Sequence, residues 1–128
     1  MMNLLKSIIF VGLGGAVGSV ARFLLSYGIG KYYAQPFPLA TFITNLLGCF
    51  LIGMLYGYSI KNNLGNGYFN FLLITGFCGG FTTFSSFALE NYNLLQNNHQ
   101  ITAYIYMASS IILTITAVGL GSYLSKYL

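Results

Sequence analysis

The residues best suited to chemistry stand together in one stretch of an otherwise apolar chain, Gly76–Glu90. It holds three glycines, four hydroxyl side chains and the only carboxylate side chain of the sequence. The adjacent Gly79 and Gly80, and the β-branched Thr82 and Thr83 that follow them, have low helix propensity and favour a break in a helix. A broken helix offers amide N–H groups at one end and carbonyls at the other, which are natural sites for an anion and a cation.

Two polar side chains occur singly in the apolar segments before that stretch. Arg22 lies deep in the first segment, where an arginine is costly unless it faces protein or water, or extends to the membrane surface. Asn45 lies in the second segment, and an amide in hydrocarbon needs a hydrogen-bond partner. For Asn45, a contact between helices and a role in moving an ion are both open.

A stripe of hydroxyl side chains marks the last apolar segment. Its members are spaced by four residues and therefore share one helical face; they are Tyr106, Ser110 and Thr114. The stripe either joins helices or hydrates an ion that moves along it. His99 stands alone in a polar loop, where we expect a solvated side chain rather than a ligand or a base.

Composition identifies the chain as an all-α membrane protein. Of its 128 residues, 56% are hydrophobic and 5% are charged, whereas soluble domains carry about 25% charged residues. Because a helix needs about 20 residues to cross a bilayer, the length accommodates one domain, residues 1–128, with four spans. We expect the spans at 4–30, 39–60, 68–95 and 101–124, with the third broken near its middle. The first span is too long for a signal peptide and no cleavage motif ends it.

Several classes of function are excluded by what the pattern lacks. The five basic residues are isolated in sequence, so we expect no nucleic-acid partner. Cys49 and Cys78 form no CxxC or Cys/His pattern, which argues against a zinc site. Gly12–Gly18 resembles a dinucleotide fingerprint without its third glycine; the spacing of Gly14 and Gly18 favours close helix packing instead. No nucleophile–base pair occurs, so we do not expect an enzyme.

The lysines give the chain only a weak preference for one orientation in a membrane. With four spans, Lys6, Lys61 and Lys126 lie on one side and Lys31 on the other, a small bias under the positive-inside rule. No internal repeat supplies the inverted second half that many transport folds contain. We therefore hypothesise that the chain inserts in both orientations and forms an antiparallel, dual-topology homodimer.

Three motifs resemble the Fluc (CrcB) family of fluoride channels, and the resemblance covers nearly the whole chain. They are GGAVGSVAR at 14–22, Pro38 with residues 41–53, and GGFTTFSSF at 79–87 with a glutamate following. The third motif is highly specific. Cys49 stands where the family leads us to expect serine, and Phe81 where leucine is common.

The resemblance implies a passive, fluoride-selective channel that exports fluoride across the cell membrane and protects against fluoride. It further implies a dual-topology homodimer with two parallel pores and a structural sodium ion at its centre, held by backbone carbonyls of Gly79 and Thr82. Arg22 would attract the anion or support the structure. The fluoride path would include Asn45, Phe84, Phe87, Tyr106, Ser110 and Thr114.

These residue types suit an anion that is small and strongly hydrated. Conduction requires sites that replace the lost water and still bind the ion weakly. The positive ring edges of Phe84 and Phe87, and the N–H and O–H donors of asparagine, serine and threonine, are sites of this kind. Core packing is nevertheless the usual role of a phenylalanine in a membrane helix.

Two other functions compete with a channel. A small proton-coupled multidrug exporter also uses four spans and an antiparallel dimer, and it needs a carboxylate within the membrane, for which Glu90 is the one candidate. Glu90 lies near the end of its span, and the chain has no tryptophan to stack on cationic drugs. Replacing Glu90 with glutamine separates the two classes, because only an exporter must lose transport. A membrane subunit that merely packs against other proteins would leave the polar break without a reason.

Overall fold

The computed structural model describes residues 3–128, and every regular element in that range is a helix. The helices are α1 Leu4–Gly30; α2 Leu39–Lys61; α3, a π-helical stretch Asn70–Cys78 with one α-helical turn Gly79–Phe81; α4 Phe84–Gln96; and α5 Gln100–Leu124, which a 3₁₀ turn Ser125–Tyr127 follows. Four helical segments are long and apolar enough to cross a membrane, and α3 with α4 forms the third. This confirms the prediction of an all-α protein with four spans.

Capping and turn residues determine where the helices end. The side chain of Asn3 accepts a backbone N–H of the first turn of α1 at 3.1 Å. Pro38 directly precedes α2, where its missing N–H is not needed. Asn63 and Gly65 between α2 and α3, and Asn98 between α4 and α5, adopt positive φ angles of 52°, 47° and 61°, a conformation that asparagine and glycine tolerate best.

Helical hydrogen bonding is interrupted between α3 and α4. Thr82 and Thr83 have extended backbones, with ψ angles of 157° and 119°. The Thr82 hydroxyl donates to the Cys78 carbonyl at 2.8 Å, and the Thr83 hydroxyl accepts the Ser86 N–H at 3.2 Å as the N-cap of α4. The Thr83 side chain thus supplies the polar partner that the amino end of α4 requires.

The π-helical winding of α3 was not predicted from the sequence. Each π-helical turn contains more residues than an α-helical turn, and such stretches are uncommon. The winding places Gly76 directly against α1: a Cβ there would lie 2.9 Å from the Val11 carbonyl oxygen and 3.0 Å from the Gly14 Cα. The wide helix therefore fits against α1 only because glycine occupies this position.

Glycines also set the closest contacts between the other helices. A Cβ at Gly14 or Gly18 of α1 would overlap a backbone carbonyl of α3. In the same way, a Cβ at Gly53 of α2 would overlap a carbonyl of α5, and a Cβ at Gly121 of α5 would overlap a carbonyl of α2. Small residues allow this backbone approach, which drives helix association in lipid. The close packing predicted for Gly14 and Gly18 is confirmed.

The outer surface of the helices is apolar. Leu13, Phe23 and Ile112 are all more than half exposed, and many other large apolar side chains are exposed in the same way. Such a surface is unfavourable in water but matches the hydrocarbon of a bilayer. The protein is therefore a multi-pass membrane protein, and its buried positions include small and polar side chains, such as Thr44 and Ala103.

Candidate functional site

A groove opens where α3 gives way to α4. It has a volume of about 230 Å³ and lies between α2, the extended Thr82–Thr83 segment, α4 and α5. Its lining consists of Asn45, Cys49, Thr82, Thr83, Phe84, Phe87, Ser110, Ile111 and Thr114. Five of the six residues predicted for the fluoride path line this one groove, and no carboxylate does.

Asn45 links α2 to the extended segment through both ends of its amide. Its Nδ2 donates to the Thr83 carbonyl at 3.1 Å, and its Oδ1 accepts the Thr83 N–H at 2.8 Å. An amide carries two N–H donors, so one of them remains for another acceptor in the groove. Asn45 therefore both fixes the backbone of Thr83 and retains a donor.

The first turn of α4 forms one wall of the groove and is rich in donors. The Thr83 hydroxyl lies 3.2 Å from the Ser86 hydroxyl and 3.3 Å from the Ser85 hydroxyl. The amino end of a helix carries a partial positive charge from its aligned peptide dipoles. An anion in the groove would therefore meet a positive helix end as well as hydroxyl groups.

Phe84 and Phe87 lie next to each other along the groove. Their ring centroids are 5.6 Å apart with an interplanar angle of 43°. Phe84 is 78% exposed, while Phe87 packs against the Tyr106 ring, whose centroid is 5.0 Å away. The tilted rings can present their edges, which carry the positive part of the aromatic quadrupole, to the groove.

The hydroxyl stripe of α5 divides into two parts. Ser110 and Thr114 line the groove. The Thr114 hydroxyl donates to the Ser110 carbonyl at 2.6 Å, but the Ser110 hydroxyl, which is buried, has no hydrogen-bond partner among the described residues. A buried, unpaired hydroxyl is costly, and the residue that carries this one lines the groove.

Tyr106, the sixth predicted path residue, lies outside the groove and is fully buried. Its hydroxyl donates to Glu90 Oε2 at 2.8 Å, and the Thr41 hydroxyl donates to Glu90 Oε1 at 2.5 Å. The carboxylate thus joins α2, α4 and α5. We call Thr41, Glu90 and Tyr106 the carboxylate cluster.

The carboxylate cluster was not predicted, although a signal for it was present. A lone carboxylate in an apolar segment must find donors, and the sequence offered Thr41 and Tyr106 without showing that they meet. Glu90 also borders a second cavity of about 670 Å³, beside the α1–α2 and α4–α5 loops, where Asn93, Asn97 and His99 lie.

Arg22 lies away from the groove. Its Nε donates to the Gly80 carbonyl at 3.1 Å, so it caps the carboxyl end of α3. A cation is favourable at this end of a helix because the last carbonyls carry partial negative charge. The contact ties α1 to the start of the extended segment.

Gly79 and Thr82, for which sodium binding was predicted, lie where the helical hydrogen bonds are interrupted. The Thr83 N–H would bond to the Gly79 carbonyl in a continuous helix, but it donates to Asn45 instead, and Thr82 is extended. The described residues contain no group of three or more His, Cys, Asp or Glu side chains that could hold a metal ion. A hard cation at the α3–α4 junction would have to be bound by backbone oxygens.

Four apolar spans and a groove lined by N–H and O–H donors beside an interrupted helix define a class, the small membrane proteins that handle ions. The sequence comparisons specify the family within that class. The family model described as "CrcB-like protein, Camphor Resistance (CrcB)" matches residues 9–122. The chain belongs to this family, as its motifs predicted.

Several relatives match over nearly their full length. The chain is 46% identical to a "Fluoride-specific ion channel FluC" from Flavobacterium psychrophilum, over 97% of this chain and 100% of the relative. It is 48% identical to a protein of the same name from Azobacteroides pseudotrichonymphae, over 97% and 99% of the two chains. A third such protein, from Leptospira interrogans, is 42% identical over 87% of each chain.

Proposed function

We propose that this protein is a fluoride-selective ion channel that lets fluoride leave the cell passively, and that fluoride moves through the groove at the α3–α4 junction. Relatives named fluoride-specific ion channels support the activity. The observation that carries the assignment of the path is the lining itself, which combines an amide donor, hydroxyl groups and two phenylalanine rings with no carboxylate.

The chemistry of the groove matches the demands of fluoride. Dehydrating a small anion is unfavourable unless new donors replace the lost water. The remaining N–H of Asn45 and the unpaired hydroxyl of Ser110 can do this, and both are neutral. Because no lysine or arginine lines the groove, the ion is not held by a full opposite charge and can move on.

The two phenylalanines form the narrow part of the proposed path. Phe84 and Phe87 lie one helical turn apart on α4 and tilt toward each other, so fluoride can pass from the edge of one ring to the edge of the next. Phe87 also packs against the ring of Tyr106, whose hydroxyl is bound to Glu90 and is therefore not offered to the ion. Arg22 supports the junction from the other side through the Gly80 carbonyl.

The proposal includes an antiparallel homodimer with two pores. Gly79, Phe84 and Ser85 at the junction are exposed in the single chain, and polar backbone and hydroxyl groups do not face lipid favourably. A second copy that covers the junction removes this exposure. Two copies in opposite orientations then bring together two α3–α4 junctions, each with its own groove.

The dimer offers a cation site at its centre. Carbonyls of Gly79 and Thr82 from two copies make four oxygen ligands, a suitable set for sodium. Sodium bound there supplies a fixed positive charge that holds the two interrupted backbones together. To test dual insertion, one measures whether a terminal tag is digested from outside sealed membrane vesicles of one uniform orientation: roughly half digestion is expected, and complete digestion or complete protection would contradict it.

The activity is tested by fluoride efflux from liposomes that hold the purified protein. A fluoride electrode records release after valinomycin and a protonophore remove the opposing voltage, and a matched chloride-loaded sample is the selectivity control. We expect rapid fluoride release with little chloride release. Folded protein that releases neither ion would contradict the proposed function.

A proton-coupled exporter is not favoured. Both carboxylate oxygens of Glu90 accept hydrogen bonds from hydroxyl groups, and Glu90 is absent from the groove lining. The relatives are named as channels. The protein is accordingly a conductor of ions and not an enzyme.

A further inference from the structure

We propose that a cleft between the carboxyl ends of α2 and α5 binds a phosphate group that carries negative charge, such as the headgroup of an anionic phospholipid. The cleft has a volume of about 420 Å³, and its lining is Gly57, Ile60, Lys61, Ser122, Ser125 and Lys126. None of these residues belongs to the fluoride groove, so the proposal does not depend on the proposed function.

The cleft exists because glycine allows the two helices to meet at this end. A Cβ at Gly57 would overlap the Ser125 side chain. Ser125 is itself buried and donates its hydroxyl to the Ser122 carbonyl at 2.6 Å. The floor of the cleft is therefore packed and fixed, and the two lysines stand at its rim.

Lys61 contacts the backbone of Lys126, and no acidic side chain lines the cleft. Lys61 Nζ donates to the Lys126 carbonyl at 3.1 Å, and Lys126 Nζ lies 5.4 Å from the centroid of the Tyr123 ring. The only carboxylate side chain of the sequence is Glu90, and Thr41 and Tyr106 bind it in the carboxylate cluster. An ammonium has three donors, so each lysine keeps donors for an anion.

The balance of charge in the cleft is positive. Each helix carboxyl end carries about half a negative charge, which offsets about one of the two lysine charges. No acidic side chain lines the cleft, so its charged side chains favour an anion over a cation. Basic pockets between membrane helices at the level of the headgroups bind anionic lipids by this arrangement.

The cleft lies at the depth of the lipid headgroups. Lys61 ends α2 and Lys126 follows α5, so both lie where apolar spans terminate. Tyr123 and Tyr127 flank Lys126, and their hydroxyls are 3.2 Å apart. Tyrosine is enriched at the boundary between hydrocarbon and water, and the cleft consequently faces lipid phosphates.

The test is native mass spectrometry of the purified full-length protein in neutral detergent, with equal amounts of short-chain phosphatidylglycerol and phosphatidylcholine. A lysine near a charged surface is worth about a fivefold change in binding. We expect wild type to retain phosphatidylglycerol in at least about fivefold preference, and K61Q/K126Q to lose that preference. The variant K6Q/K31Q loses the same two charges elsewhere and should keep it. Equal loss in both variants, or none in K61Q/K126Q, would overturn the proposal.

Two further measurements distinguish binding at the cleft from a folding defect and identify the group that is recognised. The variant K61R/K126R preserves the charge and should restore the preference, which separates binding from a general folding defect; failure to restore it in folded protein would count against the proposal. Inorganic phosphate is then added to wild type: displacement of the lipid shows that phosphate alone is recognised, and retention shows that the whole phospholipid is the ligand. Wild type without any preference for phosphatidylglycerol would refute the site.

Discussion

The groove and the carboxylate cluster lie on either side of Phe87 and differ in whether their hydrogen-bonding groups have partners. In the cluster, both oxygens of Glu90 accept a hydroxyl donor. In the groove, the Ser110 hydroxyl has no partner among the described residues and Asn45 keeps an N–H. Hydrogen bonds that are all satisfied hold helices together, whereas donors left without a partner beside the groove are the candidates to bind a passing ion.

One short chain thus keeps the groups that stabilise its helices apart from those proposed to conduct the ion. The three helices that the cluster joins, α2, α4 and α5, are also those that line the groove. Tyr106 connects the two regions, since its hydroxyl belongs to the cluster and its ring packs against Phe87. Changes in the groove should therefore alter flux, and changes in the cluster should mainly alter stability.

The largest effect is expected from Asn45→Asp. Aspartate preserves the acceptor for the Thr83 N–H but replaces the N–H donor with a negative charge that faces the anion. Two like charges about 4 Å apart repel by about 4 kcal/mol at an effective dielectric constant of about 20, so fluoride efflux should fall at least about 100-fold. Asn62→Asp, which adds the same charge in an exposed turn, is the control, and equal efflux from the two variants would remove Asn45 from the path.

The next largest effect is expected from Phe84→Ile and from Phe87→Ile. Isoleucine keeps apolar bulk but has no ring edge, so each variant should reduce fluoride efflux by at least about tenfold while the protein stays folded. Phe23→Ile, at a lipid-facing position of α1 that is 65% exposed, should conduct as wild type does. Undiminished efflux in both groove variants would restrict these rings to packing.

A smaller effect is expected from Ser110→Ala. The change removes one donor worth about 0.5–1.5 kcal/mol, so efflux should fall by roughly two- to tenfold. The neighbouring Ser109 donates its hydroxyl to the Ile105 carbonyl at 2.6 Å and does not line the groove, which makes Ser109→Ala the matched control. If Ser109→Ala slowed efflux as much as Ser110→Ala, the effect of Ser110 could not be assigned to its place in the groove.

The smallest effect on flux is expected from Tyr106→Phe, which keeps the ring against Phe87 and removes one donor from the carboxylate cluster. We expect efflux within about threefold of wild type and a loss of stability of about 0.6 kcal/mol, the average for hydrogen bonds between membrane helices. Thermal unfolding in detergent measures the stability, and Tyr104→Phe, on the exposed face of α5, is the control. A severe loss of efflux with unchanged stability would place the cluster inside the ion path.

Local pattern was enough to predict the elements, because each span carries its own signal. Apolar runs defined the four helices, and the spacing of Gly14 and Gly18 predicted the close approach of α1 to another helix. The polar types and the family motifs selected Asn45, Phe84 and Ser110, which the structure brings to one groove. Their roles in conduction remain predictions.

What the sequence did not predict depends on distant contacts. The π-helical winding of α3 has no periodic signature and rests on glycines that fit against α1. The carboxylate cluster requires three helices to meet, which no local spacing encodes. For Arg22, composition left the membrane surface and the protein interior open, and only the packed structure shows its contact with the Gly80 carbonyl.

The most direct test of the groove as the fluoride path uses its own cysteine. Cys49 is half-buried and lines the groove, whereas Cys78 is fully buried. The anionic thiol reagent sulfonatoethyl methanethiosulfonate should label Cys49, as a mass increase shows, and place a negative group in the path. Fluoride efflux should then fall by at least about tenfold in wild type and in Cys78→Ser, but not in Cys49→Ser. Undiminished efflux from protein fully labelled at Cys49 would exclude the groove as the fluoride path.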